Sequence, residues 1–432
     1  MTTTRDSAEN SALLRSETGL TNRWARRVVL TIIEKIEYGE VTLIEGGEEI
    51  RMGDPTTGPS AVIEVLDPQF YTHVALRGGM GGAESYMMGE WRSPNLTRVI
   101  QIISLSRKSM DHMDSGVAKL FHPFLRLFHR LRDNSVRGSQ RNIASHYDLG
   151  NDFFELFLDP TMTYSCALFT RPGMSLEQAS LEKYDRLCRK VSLSESDRIL
   201  EIGTGWGGFA MYAAAHYGCH VTTTTISREQ YALATDRIRK AGLEDRITVL
   251  MQDYRALEGT FDKLVSIEMI EAVGHQHWDE YFQACSDRLK PDGIMAIQAI
   301  SVRDQDFASS KRSVDFIKKY IFPGGQLVSH AGLIEAMSRA SDLHVVHFED
   351  ITLHYAETLK RWHERLNENI EQVKALGLPD SFINMWRFYL SYCEGSFLER
   401  STHGFQMVFE KPHCRRVPLL GQMEEHTSGL EA

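Results

Sequence analysis

Two hydrophobic rhythms run along this chain. Near its start Trp24, Val28, Val29, Ile32, Ile33 and Ile36 recur at helical spacing, which lines one face of an amphipathic helix. Strand-like stretches follow at Glu40–Ile44 and Ala61–Val65, and the glycine-rich Arg77–Gly82 predicts a turn. From about Asn142 apolar, β-branched runs take turns with helical patterns. Arg198–Ile202, His220–Thr225, Ile247–Met251, Lys263–Ile267 and Ile294–Ile300 read as strands, with helices over Gly207–Tyr217 and Gln230–Ala241. His344–Phe348 and Phe405–Glu410 supply two late strands. Alternating strands and helices predict a parallel sheet with crossover helices, an α/β fold of seven strands. The pattern does not give their order.

Between the fifth and seventh strands lies extra helix. Tyr355, Leu359, Trp362, Leu366, Ile370 and Val373 line one face, and Met385, Phe388, Tyr389 and Tyr392 another. Such stripes are either plain core or the wall of an apolar pocket. The division expected from these patterns is a polar leader over 1–22, a small unit over 23–130, a linker over 131–141, a main domain over 142–412 and a polar tail over 413–432.

At about 150 residues per domain, 432 residues agree with that division. The charge balance narrows the partners. With 58 acidic against 48 basic residues the net charge is −10, which excludes a general nucleic-acid binder relying on phosphate neutralisation. One local exception is the cluster Arg126, Arg130, Arg132, Arg137 and Arg141, either a solvated face or a contact for anionic lipid headgroups. Six cysteines occur without a CxxC pair, so zinc-ribbon and thioredoxin readings fail. The first 22 residues lack an apolar signal core, and no uncharged apolar stretch reaches the ~20 residues of a spanning helix. The expectation is a cytoplasmic protein without disulfides, whose membrane contact is peripheral and at the inner face.

Chemistry enters at Glu201-Ile202-Gly203-Thr204-Gly205-Trp206-Gly207-Gly208, a loop that follows a strand and opens a helix. Glycines there let the backbone turn sharply and approach a ligand. Dinucleotide dehydrogenases use a related loop, but this one reads GxGxGG, and the second strand runs out in Thr225-Ile226-Ser227 rather than in the acidic residue that would hold a ribose. A carboxylate just before the glycines, Glu201, suits the cationic ligand S-adenosylmethionine, with Asp253 after the third strand facing the adenine. Taken alone, Glu201 would equally serve as a salt-bridge residue.

The motifs around this loop resemble the cyclopropane-fatty-acyl-phospholipid and mycolic acid cyclopropane synthases. They are NIASHYDLGNDFFELFLDPTMTYSCALF (142–169), EIGTGWGG, TTISREQ (224–230), EMIEAVG (268–274) and YIFPGG (320–325), with GGMGGAESYMMGEW (78–91) resembling the end of the small amino-terminal lipid-binding domain of the longer members. The resemblance implies a Rossmann-like, seven-stranded class I methyltransferase fold with helical insertions, joined to a small α+β lipid-binding domain. It places the S-adenosylmethionine site on Tyr164, Ser165, Gly203, Gly205, Thr225, Gln230, Gln252 and Asp253. It also implies a bicarbonate ion held by Cys166, Glu271 and Tyr320 with backbone from Ile300. Where most cyclopropane synthases carry histidine, this chain has Gln298. Glutamine keeps a donor and an acceptor but does not titrate near neutrality, which weakens the case for bicarbonate.

The implied activity is methyl transfer to the double bond of an unsaturated phospholipid acyl chain. Loss of a proton from the incoming methyl closes a cyclopropane, loss from a chain carbon leaves a methyl branch, and a hydride shift followed by loss from the methyl leaves a methylene branch. Rivals are a small-molecule methyltransferase and a lipid-binding protein without catalysis. Without the motifs, Cys166 would read as a small buried apolar residue, Glu271 as a surface charge and Tyr320 as a core aromatic. His146, His275 and His277 lack the further ligands of a metal site. A homodimer is compatible with everything above.

Overall fold

The computed structural model describes residues 20–106 and 150–419. The arginine cluster at 126–141, the linker, His146, most of the polar leader and the end of the tail lie outside the described residues. The chain divides into two compact units, and the first draws on three separate stretches: the amino-terminal part, Val314–Phe316 and Ile370–Ser401.

The amino-terminal part runs α1 (Leu20–Ile33), β1 (Gly39–Glu45), β2 (Glu48–Asp54), β3 (Ser60–Val65), α2 (Gln69–Met87), β4 (Trp91–Arg92) and α3 (Leu96–Leu105). Its four strands form one sheet in the order β2-β1-β3-β4. Strand β2 carries five exposed residues of seven, so it has no apolar alternation to betray it. The signal for it is the turn: Gly46 and Gly47 both have positive φ, +57° and +84°, as a two-residue hairpin turn requires. Arg77–Gly82, expected as a turn, lies inside α2, which only kinks at Gly78 (φ +54°, ψ −138°). Gly81 permits that close packing, because a Cβ there would collide with the His73 carbonyl.

The second part continues with α4 (Asn151–Glu155), α5 (Leu176–Lys190), β5 (Arg198–Ile202), α6 (Gly208–Tyr217), β6 (His220–Thr225), α7 (Arg228–Lys240), β7 (Ile247–Met251), β8 (Phe261–Ile267), α8 (Trp278–Arg288), β9 (Leu289–Val302), α9 (Asp304–Ser310), α10 (His330–Ala340), β10 (His344–Asp350), α11 (Thr352–Glu368), α12 (Ile370–Ala375), α13 (Asp380–Leu398) and β11 (Thr402–Glu410). Helices α12 and α13 belong to the first unit. There Phe388 stacks edge-on to Phe316 at 4.8 Å and tilts against Tyr86 at 5.7 Å. Gly395 of α13 faces α3 so closely that a Cβ would stand 2.9 Å from Ile100 Cβ. The second aromatic stripe is therefore core of the first unit.

The second unit is built on a seven-stranded sheet in the order β10-β11-β9-β8-β5-β6-β7. β5 through β9 run parallel, and β11 is antiparallel to both β9 and β10. Both faces are covered. Leu200, Ile202, Leu264 and Phe282 belong to one core cluster, and Ile199, Val221, Val265 and Phe209 to the other. That explains near-continuous apolar strands rather than alternating ones. From β5 the chain order runs outward through β6 and β7 on one side, and through β8 and β9 on the other. Ligands of such sheets bind beyond the carboxyl ends of the strands at this reversal, here after Ile202 and Ile267.

Candidate active site

The loop after β5 is shaped by three glycines with left-handed φ: Gly203 (+102°), Gly205 (+52°) and Gly207 (+86°). Gly203 and Thr204 donate their N–H groups to the Thr224 carbonyl at 3.1 and 3.0 Å, which stitches the loop to the end of β6. A Cβ on Gly205 would meet nothing among the described residues within 4 Å, whereas one on Gly208 would strike the Tyr184 hydroxyl. The loop is packed behind and open in front, a cradle that a side chain would fill.

Around the cradle the polar groups are buried and organised. Thr223 Oγ1 donates to Glu201 Oε2 at 2.5 Å, and burial pushes the Glu201 carboxyl up to about 8, against the opposing pull of Thr223 and Lys183. Thr225 Oγ1 donates to Gln230 Oε1 at 2.8 Å, and Gln230 sits in the first turn of α7, which Ser227 caps. The Gln252 N–H reaches the Thr225 carbonyl at 3.1 Å. Burial opposes ionisation of Asp253, but the Arg255 guanidinium, at 2.8 Å through both Nε and Nη2, holds its carboxyl below the usual range. Tyr164 stands between Trp362 (5.2 Å) and Phe154 (5.4 Å), with Phe322 at 6.3 Å. The neighbouring Ser165 Oγ accepts from Lys183 Nζ at 2.6 Å.

Across the reversal, the segment after β8 holds two carboxylates. Glu268 adopts φ +49°, a conformation that costs a non-glycine residue about 1–2 kcal/mol. Three donors fix it there: the Cys166 N–H (2.9 Å) and Gln298 Nε2 (2.8 Å) on Oε1, and the Tyr355 hydroxyl (2.6 Å) on Oε2. Glu271 is different. Its Oε1 accepts from the Ile300 N–H at 2.5 Å, while Oε2 is buried with no hydrogen-bond partner among the described residues. Burial, reinforced by the negative charge of Glu268, pushes the Glu271 carboxyl up to about 8.

The sequence-derived residues divide accordingly. Tyr164, Ser165 and Cys166 occupy one segment tied to Glu268, and Gln298 donates to both Glu268 and the Cys166 carbonyl, the latter at 3.1 Å. Cys166 Sγ is wholly buried, and burial, with Glu268 nearby, pushes the thiol far above its ordinary value, so it is neutral. Tyr320 lies in a π-helical turn, Ile317–Ile321, with Lys319 Nζ 4.6 Å from its ring centroid. The Gln326 N–H just beyond binds the Glu271 carbonyl at 2.8 Å. Lys183, Lys190 and Gln406 were not singled out from sequence, and Tyr355 was read only as part of an apolar stripe. Lys183 sits four residues from both Ala179 and Leu187 on the buried face of α5, and a lysine on such a stripe is itself the signal. No group of three or more potential ligands among the described residues could hold a metal.

A sheet of this order, with a glycine cradle at its reversal, defines a class I methyltransferase. The open space before Gly205, the buried Glu201 carboxylate and the Thr225–Gln230 pair fit S-adenosylmethionine, a cation without phosphates. The sequence matches the mycolic acid cyclopropane synthetase family over residues 134–407, and the chain belongs to that family. It is 36% identical to tuberculostearic acid methyltransferase of Mycobacterium tuberculosis (94% of this chain, 93% of that one). To cyclopropane-fatty-acyl-phospholipid synthase of Escherichia coli it is 35% identical (81% and 88%). The mycolic acid cyclopropane synthase CmaA1, solved with SAH and CTAB, superimposes with a TM-score of 0.59 at 31% identity over 63% of this chain and 98% of that one. This chain is an S-adenosylmethionine-dependent enzyme that transfers methyl to the double bond of a lipid acyl chain.

Proposed function

We propose that the acyl chain belongs to an unsaturated phospholipid in a membrane, and that the product is a cyclopropane ring. The observation that carries this reading is Glu271 Oε2, a buried carboxylate oxygen without a partner beside the Ile300 N–H. Bound S-adenosylmethionine supplies an electrophilic methyl group. Tyr164, Ser165, Gly203, Gly205, Thr225, Gln230, Gln252 and Asp253 would hold it, with Glu201 balancing its charge. An alkene attacks weakly and leaves a carbocation, so the site must align it, exclude water and stabilise positive charge. Tyr164, Phe322 and Trp362 offer aromatic faces for the cation. Glu271, in its ionised form, then serves the proton loss, directly or by accepting from the hydroxyl of a bicarbonate. Gln298 has both amide hydrogens engaged, so it acts on the site through Glu268 rather than by donating to that ion. Cys166 contributes backbone, and Tyr320 stands in the turn ahead of Gln326, whose N–H binds the Glu271 carbonyl.

The relative that spans 94% of the chain is named a methyltransferase rather than a cyclopropane synthase, which favours a branched product as the second reading. Enzyme given methyl-deuterated cofactor and vesicles of dioleoyl phospholipid separates them. Upfield ring methine protons with one deuterium lost establish the ring, and one deuterium lost with no ring protons establishes a methylene branch. A chain keeping all its methyl deuterium establishes a branch with proton loss from the chain. Label appearing in no lipid would sink both.

Among the described residues no helix is long and apolar enough to cross a membrane. In this reading the enzyme docks peripherally, on the inner face in the cytoplasm, through its amino-terminal unit and the basic cluster 126–141. Higher salt then weakens vesicle flotation, and flotation unchanged by deleting 1–130 would contradict it. A homodimer is checked by sedimentation.

A further inference from the structure

A line of buried polar side chains runs through the second unit from α5 to the candidate site. Lys190 Nζ donates to Gln406 Oε1 at 2.7 Å, Gln406 Nε2 donates to Gln298 Oε1 at 2.9 Å, and Gln298 Nε2 donates to Glu268 Oε1 at 2.8 Å. Gln406 and Gln298 face each other directly in the β11–β9 register. All three are buried, at 5%, 0% and 1% exposure for Lys190, Gln406 and Gln298. Two amides at adjacent positions of an otherwise apolar sheet core are costly unless every polar atom is used.

The line has a direction, and Lys190 sets it. An ammonium group only donates, so the atom of Gln406 facing it must be the carbonyl oxygen. That turns the Gln406 NH2 toward β9, where it meets Gln298 Oε1. The Gln298 NH2 is then turned away from Gln406, toward Glu268 Oε1 and the Cys166 carbonyl. Lys190 is itself anchored by Glu349 Oε2 at 2.5 Å, and Glu349 also pairs with Arg186.

We propose that Lys190 and Gln406 are positioning residues for methyl transfer: they lock the Gln298 amide with its donors on Glu268 and Cys166. This rests on the function proposed above. Glu268 thereby keeps its three donors, holds its left-handed backbone and ties the Tyr164–Cys166 segment by the Cys166 N–H. With the amide reversed, Gln298 Oε1 would face the Glu268 carboxylate and the Cys166 carbonyl, acceptor against acceptor. The segment carrying Tyr164 and Ser165 would lose its tether.

The test is Gln406→Glu, nearly isosteric and still able to accept from Lys190. It presents only acceptors to Gln298 and forces the amide to reverse. With methyl-labelled S-adenosylmethionine and dioleoyl phospholipid vesicles, kcat should fall at least tenfold and cofactor affinity by calorimetry should weaken with it, since Tyr164 and Ser165 lie on the loosened segment, while KM for the vesicles stays within about threefold of wild type. Glu268→Gln supplies an NH2 for the reversed amide. In urea unfolding, the double variant should therefore be more stable than the sum of the two single losses. Additive losses would overturn the directional line. Coupled stability with wild-type kcat in Gln406→Glu would overturn its role in catalysis. Should the wild-type enzyme label no phospholipid, the function fails on its own, and the unfolding cycle still decides the line.

Discussion

Replacing Glu271 by glutamine should make the enzyme more stable above about pH 8 and nearly inactive, and the two effects have one cause. The carboxyl is pushed from 4.5 up to about 8, and each unit is worth about 1.4 kcal/mol of differential interaction. Folding the ionised form therefore costs about 2 kcal/mol near pH 6 and about 5 kcal/mol above pH 8. The sign follows from proton counting. Between about pH 4.5 and 8 the unfolded chain has released this proton and the native state retains it, so stability falls as pH rises. Glutamine removes that slope. It keeps the acceptor for the Ile300 N–H, while its NH2 replaces an oxygen without a partner and forfeits about 1–3 kcal/mol. The stability difference, glutamine variant minus wild type, should grow by about 3 kcal/mol from pH 6 to pH 9, measured by urea unfolding of the cofactor-free enzyme. Turnover should drop by at least about a hundredfold, the scale set by losing one preorganised electrostatic group, with cofactor affinity kept. A stability difference independent of pH would show that the carboxyl is solvated. Full turnover would remove it from the chemistry.

Other substitutions probe the cradle and the core. Gly205→Val strains a left-handed position by about 1–2 kcal/mol, but its Cβ meets no atom of the described residues within 4 Å, so the fold should survive while calorimetry detects no cofactor binding. Unchanged affinity would displace the site. Gly395→Ala puts a Cβ 2.9 Å from Ile100 and 3.0 Å from the Thr97 carbonyl, and should destabilise the first unit by about 1–3 kcal/mol in urea unfolding. Cys166, buried and held as a thiol, should resist iodoacetamide in the native enzyme and react on unfolding. Modification at the rate of a free thiol would show the site is open there.

Strands that bury both faces were the easiest features to read. Arg198–Ile202, His220–Thr225 and Ile247–Met251 appear with the bounds expected from their apolar and β-branched runs, the last as an edge strand with Thr248 and Met251 exposed. β2 escaped notice for the opposite reason, as most of its residues face solvent. Arg77–Gly82 misled because glycine marks both turns and close helix packing, and only tertiary contact distinguishes them. The Met385–Tyr392 stripe was correctly periodic, but periodicity states that a face is buried, not which unit buries it.

The same limit applies to the site and marks what only the fold could add. Glu201, the glycines and Glu271 stand out because their residue types are unusual where they lie. Gln298 stood out only by departing from a family pattern, and Gln406 did not stand out at all. A glutamine in an apolar strand is conspicuous only when its partner is known. The strand order supplies that partner: β11 inserts antiparallel beside β9 and sets Gln406 opposite Gln298. The departure from histidine at 298 then acquires a physical meaning. A glutamine can be turned by a fixed cation two residues away, whereas an imidazole would bring its own titration to the position. The amide makes the donors offered to Glu268 depend on packing and on Lys190, and that dependence is what the Gln406→Glu variant reverses.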